Sequence, residues 1–216
     1  MELIHFLLDL LKDPLTTLQG FLDTYDTLTY AILFLIIFVE TGLIVMPLLP
    51  GDSLLFAAGL LASSTGKLDV TIMIPLLILA ALLGDNVNYF IGKNFSNYIK
   101  SRDKILFLKR SYITQTEEFY EKNGGKTVIL ARFMPIVRTI APFVAGAGSM
   151  KYGKYILFCI LGAILWVTSI TLLGYFLGSN TWIKANFEKV VLTIVFVSVA
   201  PMLWAIVKNE ISKRRK

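Results

Sequence analysis

Four apolar runs, at 29–45, 70–91, 155–178 and 190–207, decide most of what this chain can fold into, and the last two contain no charged residue. At ~1.5 Å per residue each is about long enough to cross a hydrocarbon core of ~30 Å with help from flanking residues. Inside lipid a backbone must satisfy its own hydrogen bonds, so an apolar run of this length spans as a helix. With 56% hydrophobic residues in 216, the chain is too apolar for an ordinary soluble domain and too short for more than one or two. The expected fold class is an all-α polytopic membrane protein with about four transmembrane helices.

Two more apolar stretches are broken by proline. Pro47, Pro50 and Gly51 interrupt 46–64, and Pro135 and Pro142 interrupt 127–149. Proline deletes a helical hydrogen bond and pushes its predecessor toward extended conformations. Side assignment points the same way. The connection 93–126 and the tail 208–216 (KNEISKRRK) are rich in Lys and Arg, so both are expected to be cytoplasmic. Three apolar segments separate them, and three crossings would end on the wrong side; one segment must enter and leave on the same face. The proline-broken stretch 127–149 is the natural choice, and 46–64, with Asp52 or Ser53 able to cap the short helix that follows, reads likewise. Two opposed re-entrant helical hairpins meeting around a polar cavity are expected, because irregular backbone at that depth must be buried in protein or line water.

A weak internal repeat fits this layout. Tyr89 to Asn94 (YFIGKN) recurs as Tyr175 to Asn180 (YFLGSN), and Glu40 precedes Pro50 at the spacing by which Arg132 precedes Pro142. With hairpins entering from opposite sides, the halves would form an inverted repeat. Segment 1–27 has no Lys or Arg ahead of its first apolar residues, which argues against a cleaved secretory signal, and it reads as an N-terminal amphipathic helix at the interface. The membrane domain is then 28–207.

Ionisable residues at membrane depth are costly and mark partners or transport paths. Glu40 lies deep in the first run, as a desolvated carboxyl able to exchange protons or to pair with an arginine. Asp52 is either a second proton-coupling group or a helix cap. Arg132 and Arg138 flank the Pro135 break and stay charged, and two guanidinium forks suit a phosphate, assisted by free amides at the start of a helix after Pro142. Their alternative role is to neutralise Glu40 and Asp52. Asp85 and Asn88, with Gly84 and Gly92, form a small and polar stripe suited to packing or to lining the cavity, which Thr139 would share. Trp166, Gly162, Gly174 and Gly178 read as packing residues, and Tyr152, Tyr155, Trp182 and Trp204 as interface anchors.

The net charge of +6 does not imply nucleic acid, since its basic residues flank apolar runs. Cys159 is the only cysteine and reads as a buried structural residue, with no disulfide or metal-thiolate spacing; no metal and no cofactor are implied. His5 is the only histidine and lies near the N-terminus, and no serine or cysteine has a base at a recognisable spacing, so enzymatic readings fare badly.

Glu40-Thr41-Gly42, Pro47-Leu48-Leu49-Pro50-Gly51-Asp52-Ser53, Gly84-Asp85, Phe119 to Gly125 (FYEKNGG) and Arg132 to Thr139 (RFMPIVRT) occur in that order. From about Thr29 to Gly178 the chain resembles the bacterial DedA family, which shares the VTT domain with eukaryotic lipid scramblases. The resemblance implies the inner (cytoplasmic) membrane, paired re-entrant hairpins and dependence on the proton motive force. It also implies movement of undecaprenyl phosphate or a phospholipid between leaflets, with Glu40, Asp52, Arg132 and Arg138 essential. Expected partners are the lipid or polyprenyl phosphate and protons, with a homodimer left open. Two other functions stay in view: a proton-coupled small-ion or solute antiporter, for which deep carboxylates serve equally, and a non-transporting scaffold in which the charges are structural pairs.

Overall fold

Asp13 and Pro14 divide the N-terminal segment into two helices, α1 (Glu2–Lys12) and α2 (Pro14–Tyr25). Asp13 accepts a hydrogen bond from the Thr16 amide at 3.1 Å, and Pro14 opens α2 where no backbone donor is needed. The expected single interfacial helix is therefore corrected. α2 buries Leu18 and Leu22 in the core, so only α1, with Leu8 and Leu11 exposed, remains free to lie at an interface.

The computed structural model describes residues 2–43, 51–100, 128–129, 132–148, 150–187, 189–190 and 193, and these are helical with no strand. Beyond α2 come α3 (Leu28–Gly42), α4 (Gly51–Thr65), α5 (Val70–Lys100), α6 (Pro135–Ala147), α7 (Tyr152–Leu177) and the short α8 (Thr181–Ala185). Asp69 starts α5 by accepting hydrogen bonds from the Thr71 hydroxyl and amide, which hold its carboxyl below the usual carboxylate range. Pro47, Pro50, the first arm of the 46–64 hairpin, most of the basic connection, Trp204, nearly all of the fourth run and the basic tail lie outside the described residues.

α5 and α7 are long and apolar enough to cross a membrane, over Val70–Phe95 and Tyr152–Leu177. Their outward faces are apolar too: Ile72, Leu79, Leu83 and Phe90 on α5, and Leu157, Leu161 and Leu165 on α7, are exposed. Water would penalise such stripes, whereas lipid accepts them. α4 has 15 residues and α6 has 13, so at ~1.5 Å per residue neither reaches across a core of ~30 Å.

One correction concerns the proline breaks. The break in the second stretch falls at Phe133 and Met134, with Met134 extended (φ −114°, ψ 107°) and Pro135 in the first turn of α6. Pro142 does not break the chain; it sits inside α6 and removes only the amide that would have bonded the Arg138 carbonyl. The basic connection also begins inside a helix, since α5 continues to Lys100.

The short helix of each half packs on the long helix of the other, α4 against α7 and α6 against α5, while α3 lies along α5. Both crossings run backbone to backbone through glycine. A Cβ on Gly59 would strike the Thr171 carbonyl and crowd the Tyr175 amide, and one on Gly146 would strike the Tyr89 carbonyl and crowd the Lys93 amide. The sequence repeat aligned Tyr89 with Tyr175, but the packing aligns Tyr89 with Thr171, one helical turn earlier.

Candidate functional site

α3 ends in the protein interior, with Glu40, Thr41 and Gly42 buried in its last turn. α4 starts beside it, and a Cβ on Gly51 would collide with the Glu40 carboxylate, so only glycine lets the first turn of α4 close on that group. The amide end of a helix carries partial positive charge, which favours Glu40 and Asp52 where they stand. From the opposite side, the second turn of α6 delivers Arg138. Its Nη2 donates to Glu40 Oε1 at 2.5 Å and its Nη1 to Asp52 Oδ1 at 2.7 Å. The guanidinium carbon lies 4.4 Å from the Trp166 ring centroid, and Trp166 Nε1 donates to the same Asp52 oxygen at 2.8 Å. Arg138 therefore holds two carboxylates and an indole face. Of the three charges only Asp52 keeps noticeable exposure, at 11% of its side chain.

Arg132 does not join this group. Its Nη2 pairs with Asp85 Oδ2 and lies 3.3 Å from Cys159 Sγ, whose thiol donates to that carboxylate oxygen at 3.0 Å. The Tyr155 hydroxyl donates to the Asp85 backbone carbonyl at 3.0 Å. Gly162 leaves room for the Arg132 side chain, since a Cβ there would press on its Cδ at 3.3 Å. The Arg132 guanidinium carbon is 5.9 Å from the Trp166 ring, so one indole stands between the two clusters.

Asn88 ties this architecture together. Its Nδ2 donates to the Thr41 carbonyl at 3.2 Å and the Thr139 carbonyl at 2.6 Å, joining α5 to the end of α3 and to α6. Asn88 and Thr139 are buried in packed protein, as is Asp85. Among the described residues there is one recess of about 270 Å³ lined by Asp13, Thr16, Asn186 and Lys189 and an apolar one of about 250 Å³ lined by Leu173, Leu177 and Trp182. The charges form closed pairs in this conformation. Even so, among the described residues several buried atoms have no hydrogen-bond partner: Asn88 Oδ1, Arg132 Nε and Nη1, and Arg138 Nε. Buried charged groups left part-satisfied are costly.

The structure thus brings together Glu40, Asp52 and Arg138 and separates Arg132, which takes Asp85, the carboxylate expected to serve packing or to line the cavity. Sequence reasoning missed Trp166, Cys159 and Tyr155 as site residues. Tyr155, expected as an interface anchor, is fully buried and stacks on Tyr89. Helical spacing carried the signal: Tyr155, Cys159, Gly162 and Trp166 recur at i, i+4, i+7 and i+11 on one face of a mostly apolar helix.

The family model described as VTT domain matches residues 49–176. Protein DedA of Escherichia coli (strain K12) is 46% identical over 211 residues, covering 97% of this chain and 96% of that protein. An uncharacterized membrane protein of Mycobacterium leprae (strain TN) is 45% identical over 170 residues, covering 79% and 76% of the two chains. The inner membrane protein YqjA of Escherichia coli (strain K12) is 34% identical over 151 residues, covering 70% and 68%. No solved structure matches significantly.

Proposed function

Since the chain belongs to the DedA family of VTT-domain membrane proteins, we propose that it is a transporter moving a lipid phosphate between leaflets at the expense of the proton motive force. The substrate is undecaprenyl phosphate or a phospholipid, its tail staying in lipid while the headgroup passes the buried charges. In this reading the protein sits in the bacterial inner membrane with its C-terminus cytoplasmic, with about four spans and two re-entrant hairpins whose second arms are α4 and α6. Arg132 and Arg138 receive phosphate, and Glu40 and Asp52 carry the coupling proton. The supporting observation is that Arg138 is shared by Glu40 and Asp52 across two short helices. Phosphate and carboxylate compete for a guanidinium, and that competition supplies the differential affinity an alternating site needs.

The test is lipid translocation in reconstituted vesicles, with and without an imposed pH gradient. Arg132→Ala and Arg138→Ala are expected to lose translocation by at least ~100-fold, the scale of removing one buried charge contact. Unchanged translocation in both variants would sink the proposal.

A scaffold reading is favoured by one observation, the closure of both arginines in ion pairs. It predicts that the swap Glu40→Arg with Arg138→Glu retains function, whereas a phosphate receptor does not survive the exchange.

A further inference from the structure

The two buried arginines are in different chemical situations. Arg138 is engaged on both Nη atoms by carboxylates and on its face by Trp166. Among the described residues Arg132 has one carboxylate, approached through Nη2 alone, and its Nε and Nη1 have no acceptor although the side chain is only 3% exposed. A guanidinium presents five N–H donors and never gives up its charge. We infer that Arg132 is the group that receives a phosphate-bearing anion and that Asp85 is the counter-ion this anion displaces. The inference rests on the lipid-phosphate reading and narrows it, because it assigns receptor and lock to different arginines.

The surroundings of Asp85 suit a displaceable partner. When Arg132 turns to a phosphate, the Cys159 thiol still donates to the Asp85 carboxylate and the Tyr155 hydroxyl still fixes its backbone carbonyl. Asp85 is thereby held in place for the return of Arg132. A phosphate monoester offers more acceptor oxygens than the single Asp85 oxygen Arg132 uses here, so it can satisfy the donors Asp85 leaves unmatched. Cys159 is the chain's only cysteine and touches both members of the pair. It is a native reporter of their separation.

The experiment uses the full-length protein in phosphatidylcholine nanodiscs, with inorganic phosphate and a short-chain phosphatidic acid as separate probes. Asp85→Asn is expected to tighten binding by roughly tenfold or more, since a charged hydrogen bond no longer competes for Arg132. Arg132→Gln is expected to abolish binding, and adding Asp85→Asn to it should change nothing. Binding of both probes identifies the phosphate as the recognised group, and binding of phosphatidic acid alone identifies a lipid headgroup; either supports the inference. In the unaltered protein, saturating probe should slow alkylation of Cys159 by N-ethylmaleimide, because the reactive thiolate loses the Arg132 charge and keeps the Asp85 carboxylate, a reading that stands even if Asp85→Asn melts early. Binding of neither probe overturns the inference. So does unchanged or weaker binding by Asp85→Asn, a gain that persists without Arg132, or a Cys159 rate indifferent to saturation. Tight binding by Asp85→Asn with no lipid translocation in any variant would uphold the inference and remove the transport reading.

Discussion

Trp166 is the residue on which both charge clusters lean, one through a hydrogen bond and stacked cation, the other through a more distant cation. An indole at this place performs two separable tasks. Trp166→Phe keeps an aromatic face under Arg138 but removes the donor to Asp52, an interaction with a charged group worth about 1.5–3 kcal/mol. Trp166→Leu removes the face as well, at a further cost of about 0.5–2 kcal/mol in a desolvated setting. Thermal denaturation in nanodiscs should therefore rank the unaltered protein above the Phe variant and the Phe variant above the Leu variant. Equal melting of the first two would show that Asp52 does not need the indole. Three of the four charges singled out from the sequence do meet at Arg138, because a charge in an apolar run cannot be hidden from inspection. Which carboxylate takes Arg132 was not legible. That partner lies on α5, and only the packing of α5 against the chain near Arg132 selects it.

The helices are held by close crossings as well as by buried side chains. At Gly59 and Gly146 the neighbouring backbone occupies the space of a Cβ, whereas Gly20, in α2, has nothing within 4 Å of one. The expectation divides accordingly. Gly59→Ala and Gly146→Ala force helices apart and should each cost about 1–3 kcal/mol, while Gly20→Ala should gain about 0.5–1 kcal/mol by stiffening an exposed helix interior. Melting temperatures of the three variants check this, and a loss at Gly20 or a gain at either crossing would contradict the packing. The break at Pro135 was legible because proline biases its predecessor locally. The continuity through Pro142 was not, since one missing hydrogen bond is a small loss to a helix packed along α5, and sequence does not display that packing. The six-residue repeat located the right helices but missed their register by one turn, because small residues recur along both.

At the scale of the whole molecule the site is a seam. α4 and α7 are locked together through Gly59 and Gly174, α5 and α6 through Gly146 and Gly92, and α3 packs along α5. Asp52 and Trp166 belong to the first body, and Glu40, Asp85 and Arg138 to the second, so the Arg138–Asp52 and Cys159–Asp85 contacts cross between them. If the charges gate a movement, releasing them should open the seam and leave each body intact. If they serve only to hold the fold, releasing them should loosen the bodies too. Hydrogen exchange in nanodiscs separates these outcomes, because amides report local opening and global unfolding on different scales. Arg138→Gln is expected to raise exchange in the first turn of α4 and the first two turns of α6. The helix segments around the Gly59–Gly174 and Gly92–Gly146 crossings should stay protected as in the unaltered protein. A uniform loss of protection across α4, α5, α6 and α7 would instead make Arg138 a structural rivet, and the scaffold reading would then account for the closed ion pairs better than transport does.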